Sequence, residues 1–420
     1  MRARLRRGAS AGRAVLAGAG AAVILACAAC ATGGPSAEEL AAVDYAPQAF
    51  EGFAASTPEE RGLDPDAVAA LYWRAGTLES IHSLTVIKDG YVVAQAYFNG
   101  TDADLSQNVQ SVTKSYTGAL VGIAIKEGCI AGLDEPMMTY FPELAGRVTD
   151  PRKESITIEQ LLQMRAGYPW LEASAEGVEL LFHGFSPSNV VDVPLARDPG
   201  TGWDYSNLSS HLLAIAVARA CGSEDLLDFA QEHLFDPLAT TPSEWTQDWD
   251  GYRLGYTELF VTAQEMARFG QMYLDGGRVN GEQVVPESWI EQSWTPYTEG
   301  AWYYKVGDNF DRTAYGYQWW IIDAGPHTYR LAWGHGGQQI AVLPELGLVV
   351  VVTADPLRGQ LGDEPWRLEK ANLNLVADFI AALPETDGSE RRPRGRLAVP
   401  GCGVPTRAGV SPDAVVPIGT

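Results

Sequence analysis

Leu84-Thr-Val-Ile-Lys-Asp-Gly-Tyr-Val-Val-Ala-Gln-Ala-Tyr97 is the stretch that most constrains the fold. Two runs rich in β-branched residues flank Asp89-Gly90. Asp-Gly between two such runs is a strong signal for a β-hairpin, because this dipeptide suits the tight turn that joins paired strands. The stretch therefore predicts two antiparallel strands in the first quarter of the chain.

The patterns around this hairpin extend the prediction. A helical segment at 111–126 stops at Gly128, and the sequence from about 130 to 275 is mostly helical. Strand-like sequence returns late, at 315–323, 329–333 and 339–353, before a closing helix at 372–383. Strands at both ends with helices between them predict an α+β fold, an α/β sandwich. Its central antiparallel sheet is formed by both chain ends and flanked by helices, with a mostly helical lobe inserted at about 130–275.

The N-terminal segment predicts export. The first 26 residues contain five arginines and no acidic residue, and an apolar run occupies 14–26. Ile24-Leu25-Ala26-Cys27 resembles a bacterial lipoprotein cleavage box in which the cysteine is acylated, and Cys30 offers a second site. We expect an extracellular or cell-surface lipoprotein, with plain secretion and a retained N-terminal anchor as the alternatives.

These boundaries give three parts. Residues 1–36 are interpreted as the signal and a tether, 45–385 as one domain, and 386–420, rich in Arg, Gly and Pro, as a disordered tail. Membrane contact is expected only through the lipid anchor.

Composition excludes several classes of protein. The 420 residues are 46% hydrophobic and 20% charged, which argues against a disordered or fibrous chain. The net charge of -23 argues against a nucleic-acid partner, because phosphate affinity comes mainly from Lys and Arg. The six histidines show no metal-ligand spacing, so neither a metal nor a cofactor is predicted. Cys129, Cys221 and Cys402 are expected as isolated buried thiols, with one disulfide among them after export as the alternative.

Ser111-Val112-Thr113-Lys114 is the segment most suggestive of chemistry. A spacing of three places both side chains on one helical face. A serine hydroxyl needs a partner that takes its proton, and lysine can do so when burial disfavours its ammonium. Unpaired N–H groups in the first helical turn favour developing negative charge. Alone, this common pattern more often marks a solvated helix face.

Two further segments strengthen the functional interpretation. Tyr205-Ser206-Asn207 follows a Pro- and Gly-containing turn at 199–204, which would present Tyr205 at a loop tip before a helix that starts near Ser209. Trp333-Gly-His-Gly-Gly-Gln338 lies between strand-like runs, and its glycines allow a ligand to approach the backbone closely.

These three motifs, in this order, resemble the serine β-lactamase and penicillin-binding-protein superfamily. The similarity is to its class C-like branch, which includes family VIII esterases, D-amino-acid-specific peptidases and 6-aminohexanoate-dimer hydrolases. It covers roughly 60 to 385 and extends to four other segments: 133–136, 157–167, 262–270 and 315–320.

The resemblance implies specific roles. Ser111 would attack the carbonyl, Lys114 would take or relay its proton, and Tyr205 would share this duty and protonate the leaving group. Asn207 would hold Lys114 and the substrate amide by hydrogen bonds. The backbone N–H groups of Ser111 and Gln338 would form the oxyanion hole. Whether Lys114 or Tyr205 is the base stays open, since the two would titrate as a coupled pair.

The sequence departs from the family at His335-Gly336-Gly337, where β-lactamases carry Lys-Thr-Gly. The missing ammonium and hydroxyl weaken the case for a dedicated β-lactamase, whereas esterases and amide hydrolases of the branch tolerate the change. His335 is still expected to line the site. Trp170 follows a turn where the branch places a loop at the active-site rim, so we expect it at the cleft.

Three functions follow as hypotheses. The first is an exported serine hydrolase that cleaves a small-molecule ester, amide or peptide through an acyl-enzyme. The second is a D,D-peptidase or β-lactamase that acts on cell-wall peptide or a β-lactam. The third is a catalytically silent surface binding protein, which the intact Ser111, Lys114 and Tyr205 disfavour.

Overall fold

The computed structural model describes residues 34–171, 186–223, 225–302, 310–358 and 366–385, with the backbone alone at 190 and 191. The predicted export signal, except for its last residues, and the predicted tail at 386–420 lie outside these ranges. Among the described residues, none of the helices has the length and apolar composition of a membrane span.

Most strands come from the two ends of the chain and most helices lie between them, as the sequence predicts. The α-helices are α1 (Ala37–Ala41), α2 (Pro65–Gly76), α3 (Thr113–Lys126), α4 (Ile158–Leu162), α5 (Asn189–Asp192), α6 (Asn207–Ala220), α7 (Leu226–Ala230), α8 (Ala263–Leu274), α9 (Glu287–Ser293) and α10 (Arg367–Ala382). The strands are β1 (Ala54–Ala55), β2 (Ile81–Lys88), β3 (Tyr91–Tyr97), β4 (Gln107–Asn108), β5 (Glu244–Trp245), β6 (Leu259–Val261), β7 (Arg278–Val279), β8 (Glu282–Gln283), β9 (Thr298–Glu299), β10 (Arg312–Tyr315), β11 (Trp320–Ala324), β12 (His327–Gly334), β13 (Gln338–Leu343) and β14 (Leu348–Ala354). Five short strands, β4 to β8, are added in the middle of the described residues.

The main sheet joins the two ends of the domain, which confirms the α+β prediction. In the described parts of the chain, its nine strands run in the order β1-β3-β2-β14-β13-β12-β11-β10-β9. Strand β2, near the start of the chain, pairs antiparallel with β14, near its end. Apart from the short parallel pair of β1 and β3, every neighbouring pair is antiparallel.

The predicted hairpin is present as β2 and β3. Lys88 pairs with Tyr91 across the turn, and Asp89 and Gly90 have φ values of 52° and 75°. Positive φ at both central residues defines a type I′ turn, whose twist matches that of paired strands. The Asp-Gly pair therefore closes the hairpin because these residues tolerate the left-handed conformation.

Both faces of the sheet are buried. Along β14, Val349 and Val351 belong to the core cluster that also contains residues of α3, α6 and α8. Leu348, Val350 and Val352 point the other way, into a cluster with residues of α2 and α10. Because successive strand residues face opposite sides, the apolar run 348–352 indicates a central strand that is covered on both faces.

Helix α6 of the inserted lobe packs against α3. Cys129, just after α3, is disulfide-bonded to Cys221, which caps α6, with a Cα–Cα distance of 4.9 Å. The expectation of isolated thiols at these two positions was therefore wrong. The two residues are 92 positions apart, and only the packing of the two helices brings them together.

His211 on α6 is fully buried and bonded to Asp248, with 2.9 Å between Nε2 and Oδ2. The Gly255 N–H donates to Nδ1 of the same ring, so Nε2 carries the hydrogen that Asp248 accepts. This pair fixes the segment around Gly255, whose carbonyl accepts a hydrogen bond from Thr117 of α3.

We expect His211→Leu to lower the free energy of unfolding by about 3 kcal/mol, because it leaves a buried carboxylate oxygen without its donor. Urea unfolding followed by tryptophan fluorescence measures the change. His233→Leu is the matched control, since His233 is only partly buried, and its loss should cost less than about 1 kcal/mol. Equal losses in the two variants would contradict a special contribution from the His211 pair.

Candidate active site

Ser111 and Lys114 meet at the start of α3. Ser111 lies in the 3-10 turn Gln110–Val112, immediately before the α-helix. The Lys114 ammonium donates a hydrogen bond to Ser111 Oγ at 2.9 Å, as expected from a spacing of three. The hydroxyl and the amine thus lie within proton-transfer distance of each other.

Lys114 is 1% exposed, so its amine is almost removed from water. Nζ donates a second hydrogen bond to the Tyr256 carbonyl at 3.0 Å. It also lies 4.8 Å from the ring centroid of Tyr205 and 5.6 Å from that of Tyr256. The carbonyl and the two ring faces hold the amine in place beside the serine.

The backbone before Ser111 is held in an uncommon conformation. Gln110 has a φ of 53°, which a residue with a Cβ rarely adopts. Its N–H donates to Asn108 Oδ1 at 2.7 Å, and its carbonyl accepts from Thr113 Oγ1 at 2.7 Å. These two bonds offset the strain and set the direction in which Ser111 leaves the turn.

Tyr205 and Asn207 lie at the start of α6. Ser206 is the N-cap of this helix and accepts from the Ser209 N–H, so the helix begins at Asn207, two residues before the predicted start. Tyr205 is 6% exposed and Asn207 is 7% exposed. Tyr205 thus lies in the loop directly before the helix, as predicted, but neighbouring aromatic rings bury it there.

Those rings form an aromatic cluster around Tyr205. Its members are Trp170, Trp203, Trp302, Tyr315, Trp320 and Trp333. Tyr205 stacks on Trp320 with 5.8 Å between centroids and contacts Trp302 at 4.6 Å. Trp170 contacts Trp302 at 5.3 Å and is partly exposed, so it lies one ring away from Tyr205.

Tyr315 is a second buried phenol in this cluster. Burial raises its pKa well above the ordinary value, and the neighbouring Tyr205 raises it further. Tyr315 therefore stays protonated over the working pH range and does not compete as a base.

The glycine-rich segment forms the turn between β12 and β13 and packs against the Ser111 turn. A Cβ on Gly334 would lie 2.3 Å from the Val109 carbonyl oxygen, so only glycine permits this approach. Gln338 begins β13, and its side chain points into the sheet, where Nε2 donates to the Ala354 carbonyl at 2.6 Å. The backbone of Gln338 is thereby anchored at the end of the turn.

His335 and Gly336 occupy the middle of this turn. His335 is about one-third exposed, with Nδ1 2.8 Å from Glu369 Oε2, and its ring packs edge-on against Trp366. Gly336 and Gly337 have φ values of 81° and 91°. A Cβ on Gly336 would lie 2.5 Å from Pro356 Cα, so a threonine does not fit there without movement of the backbone.

The structure thus brings the segments of Ser111, Lys114, Tyr205 and 333–338 together. Sequence reasoning missed three contributors: Gln110, Tyr256 and Glu369. Tyr256 acts through its carbonyl, which every residue possesses, and the φ of Gln110 has no signature in its residue type. Glu369 lies in the first turn of α10, where an acidic residue is ordinary, so no signal marked it.

The curated relatives that share sequence with this chain include two hydrolases. The 6-aminohexanoate-dimer hydrolase of Paenarthrobacter ureafaciens is 29% identical over 257 residues, 56% of this chain and 63% of that enzyme. Esterase EstB of Burkholderia gladioli is 27% identical over 179 residues, 40% of this chain and 41% of the esterase. Each match covers less than two thirds of the relative's own length.

Solved structures share the fold. The D-alanine carboxypeptidase AmpC of Burkholderia cenocepacia superposes with a TM-score of 0.52 and 17% identity, covering 76% of this chain and 97% of that one. The family model described as Beta-lactamase matches residues 80–371, well over half of the sequence. The chain therefore belongs to the beta-lactamase family of hydrolases.

Proposed function

We propose that this protein is an exported serine hydrolase that cleaves a small ester or amide through an acyl-enzyme on Ser111. The observation that carries the proposal is the 2.9 Å contact between Lys114 Nζ and Ser111 Oγ, in a place where Lys114 is 1% exposed. In its neutral form, a buried amine at this distance is suited to take the hydroxyl proton as Oγ attacks a carbonyl.

The proposed reaction has two halves. Oγ of Ser111 bonds to the carbonyl carbon, and its proton passes to the coupled pair of Lys114 and Tyr205. The N–H groups of Ser111 and Gln338 stabilise the oxyanion, and the pair returns the proton to the departing alcohol or amine. Water, deprotonated by the same pair, then releases the acid and restores Ser111. Asn207 holds Lys114 and the substrate amide, while His335 and Trp170 contact the substrate.

Ser111→Ala and Lys114→Met should each lower kcat on p-nitrophenyl butyrate by at least 1,000-fold, because each removes part of a catalytic unit. Lys126→Met is the matched control: Lys126 lies on the same helix and is exposed, so its replacement should leave kcat unchanged. Turnover by Ser111→Ala at the wild-type rate would refute the proposal. Labelling by a fluorophosphonate in wild type but not in Ser111→Ala separates the enzyme from a silent binding protein.

A D,D-peptidase or β-lactamase is the second candidate, favoured by the family match at residues 80–371. The turn at 335–337 argues against it. Gly336 supplies no hydroxyl, and its φ of 81° with Pro356 beside it disfavours a threonine.

We expect esters and short amides to be turned over at least 100-fold faster, in kcat/KM, than penicillin G or a cephalosporin. A panel of p-nitrophenyl esters, ω-amides, D-alanyl peptides and β-lactams measures this ratio. Rapid β-lactam opening, or a stable penicillin adduct on Ser111 found by intact mass, would favour the second candidate.

Export rests on the arginine-rich and apolar start of the sequence. In a bacterium that produces the full chain, we expect the enzyme outside the cytoplasm, with lipid attached at Cys27. Cell fractionation and metabolic labelling with an alkyne fatty acid measure both, and Cys27→Ala should abolish the label. Label that persists in Cys27→Ala and is lost in Cys30→Ala would place the lipid on Cys30 instead. An enzyme confined to the cytoplasm would refute export.

A further inference from the structure

The Glu369 carboxylate is buried beneath the turn between β12 and β13. It is 3% exposed and belongs to the first turn of α10. Oε1 accepts a hydrogen bond from the Trp333 indole N–H at 2.9 Å. Oε2 accepts from the Gly336 backbone N–H at 3.0 Å and lies 2.8 Å from His335 Nδ1.

These three contacts are made by three of the four residues that run from Trp333 to Gly336. One side chain therefore fixes both the backbone of the turn and the two side chains that flank Gly334. A buried carboxylate is stable when donors satisfy its oxygens, and hydrogen bonds to an ionised acceptor are strong. Both oxygen positions must accept hydrogen bonds, and no neutral side chain of this size has two acceptor oxygens.

A second α10 residue holds Gly336 through its carbonyl. Asn372 Nδ2 donates to the Gly336 carbonyl at 2.8 Å, and a Cβ on Gly337 would lie 2.5 Å from Asn372 Cβ. The Asn372 carbonyl also accepts from Gln339 Nε2 at 2.8 Å. Helix α10 therefore forms hydrogen bonds to Gly336 in the turn and to Gln339, the residue after Gln338.

We propose that Glu369 is a positioning residue that holds the Trp333–Gln338 turn so that the Gln338 N–H points at the developing oxyanion. This inference rests on the proposed function of Ser111 and goes beyond it, because Glu369 touches no reacting atom. A donor aimed by a rigid backbone costs no reorganisation in the transition state, and loss of one such donor typically lowers kcat about 100- to 1,000-fold.

Glu369→Gln tests the proposal with little change in side-chain volume. One carboxylate oxygen becomes an NH2 group, so one of the N–H donors of Trp333 or Gly336 then faces a donor. We expect kcat on p-nitrophenyl butyrate to fall 10- to 100-fold while KM changes less than threefold, because the interaction is lost mainly in the transition state.

Phenylboronic acid gives a second readout that a general structural role would not move. Its boron bonds to Ser111 Oγ and becomes tetrahedral, so a boron-bound oxygen resembles the oxyanion of the intermediate. Its inhibition constant should rise at least tenfold in Glu369→Gln, in parallel with the fall in kcat.

Glu265→Gln is the matched control. Glu265 is also buried, but its oxygens accept hydrogen bonds from the Thr241 N–H and from the N–H of Thr262, the N-cap of α8. This variant should lose stability in urea while kcat and boronate affinity stay within twofold of wild type. If Glu369→Gln does not fold, Asn372→Ala, which removes the donor to the Gly336 carbonyl, should lower kcat at least fivefold.

Two outcomes would overturn the inference. One is a folded Glu369→Gln enzyme, or in its place a folded Asn372→Ala enzyme, with wild-type kcat and boronate affinity. The other is a fall in kcat that is accompanied by an equally large rise in KM, with the affinity for the boronate unchanged. Both differ from failure of the proposed function, which would show as wild-type turnover by Ser111→Ala.

Discussion

The antiparallel pairing of β2 with β14 is the constraint on which the rest of the molecule depends. It joins Ile81–Lys88 to Leu348–Ala354, segments that are more than 250 residues apart. The chain that follows β2 and β3 leads to the Ser111 turn, while the strands beside β14 carry the glycine-rich turn. A slip of one residue in this ladder would exchange the two buried faces of β14 and move Gly334 away from the Val109 carbonyl.

Burial of Lys114 has two opposite effects, a cost in desolvation and the exclusion of water from the site. Burial of an ammonium is costly unless its donors are accepted, and here the Tyr256 carbonyl and Ser111 Oγ accept two of them. The same burial excludes the water that would otherwise compete for the serine proton. The His211–Asp248 pair bears on this balance, because it fixes Gly255, the residue before Tyr256. The packing of the lobe therefore influences the position of Lys114 through one backbone carbonyl, that of Tyr256.

The sequence was most informative where a residue type has only one physical use. Asp89-Gly90 marked a hairpin because few residues accept positive φ, and the order of strands and helices gave the sheet made from both chain ends. The spacing of Ser111 and Lys114 predicted their contact because helical geometry fixes it. The burial of Tyr205, the Tyr256 carbonyl and the Glu369 contacts could not be predicted, since each depends on residues distant in sequence. The pairing of Cys129 with Cys221 was missed for the same reason.

Helices α3 and α6 both start at the candidate site and both end at the Cys129–Cys221 bond. They run side by side in the same direction, each about 21 Å long at 14 residues. The disulfide lies at the end of the two helices that is remote from the candidate site. It limits how far α3 can slide along α6, and therefore how far Ser111 can move away from Tyr205. A chain produced where thiols stay reduced would lack this disulfide, and its two helices would keep their alignment through side-chain packing alone.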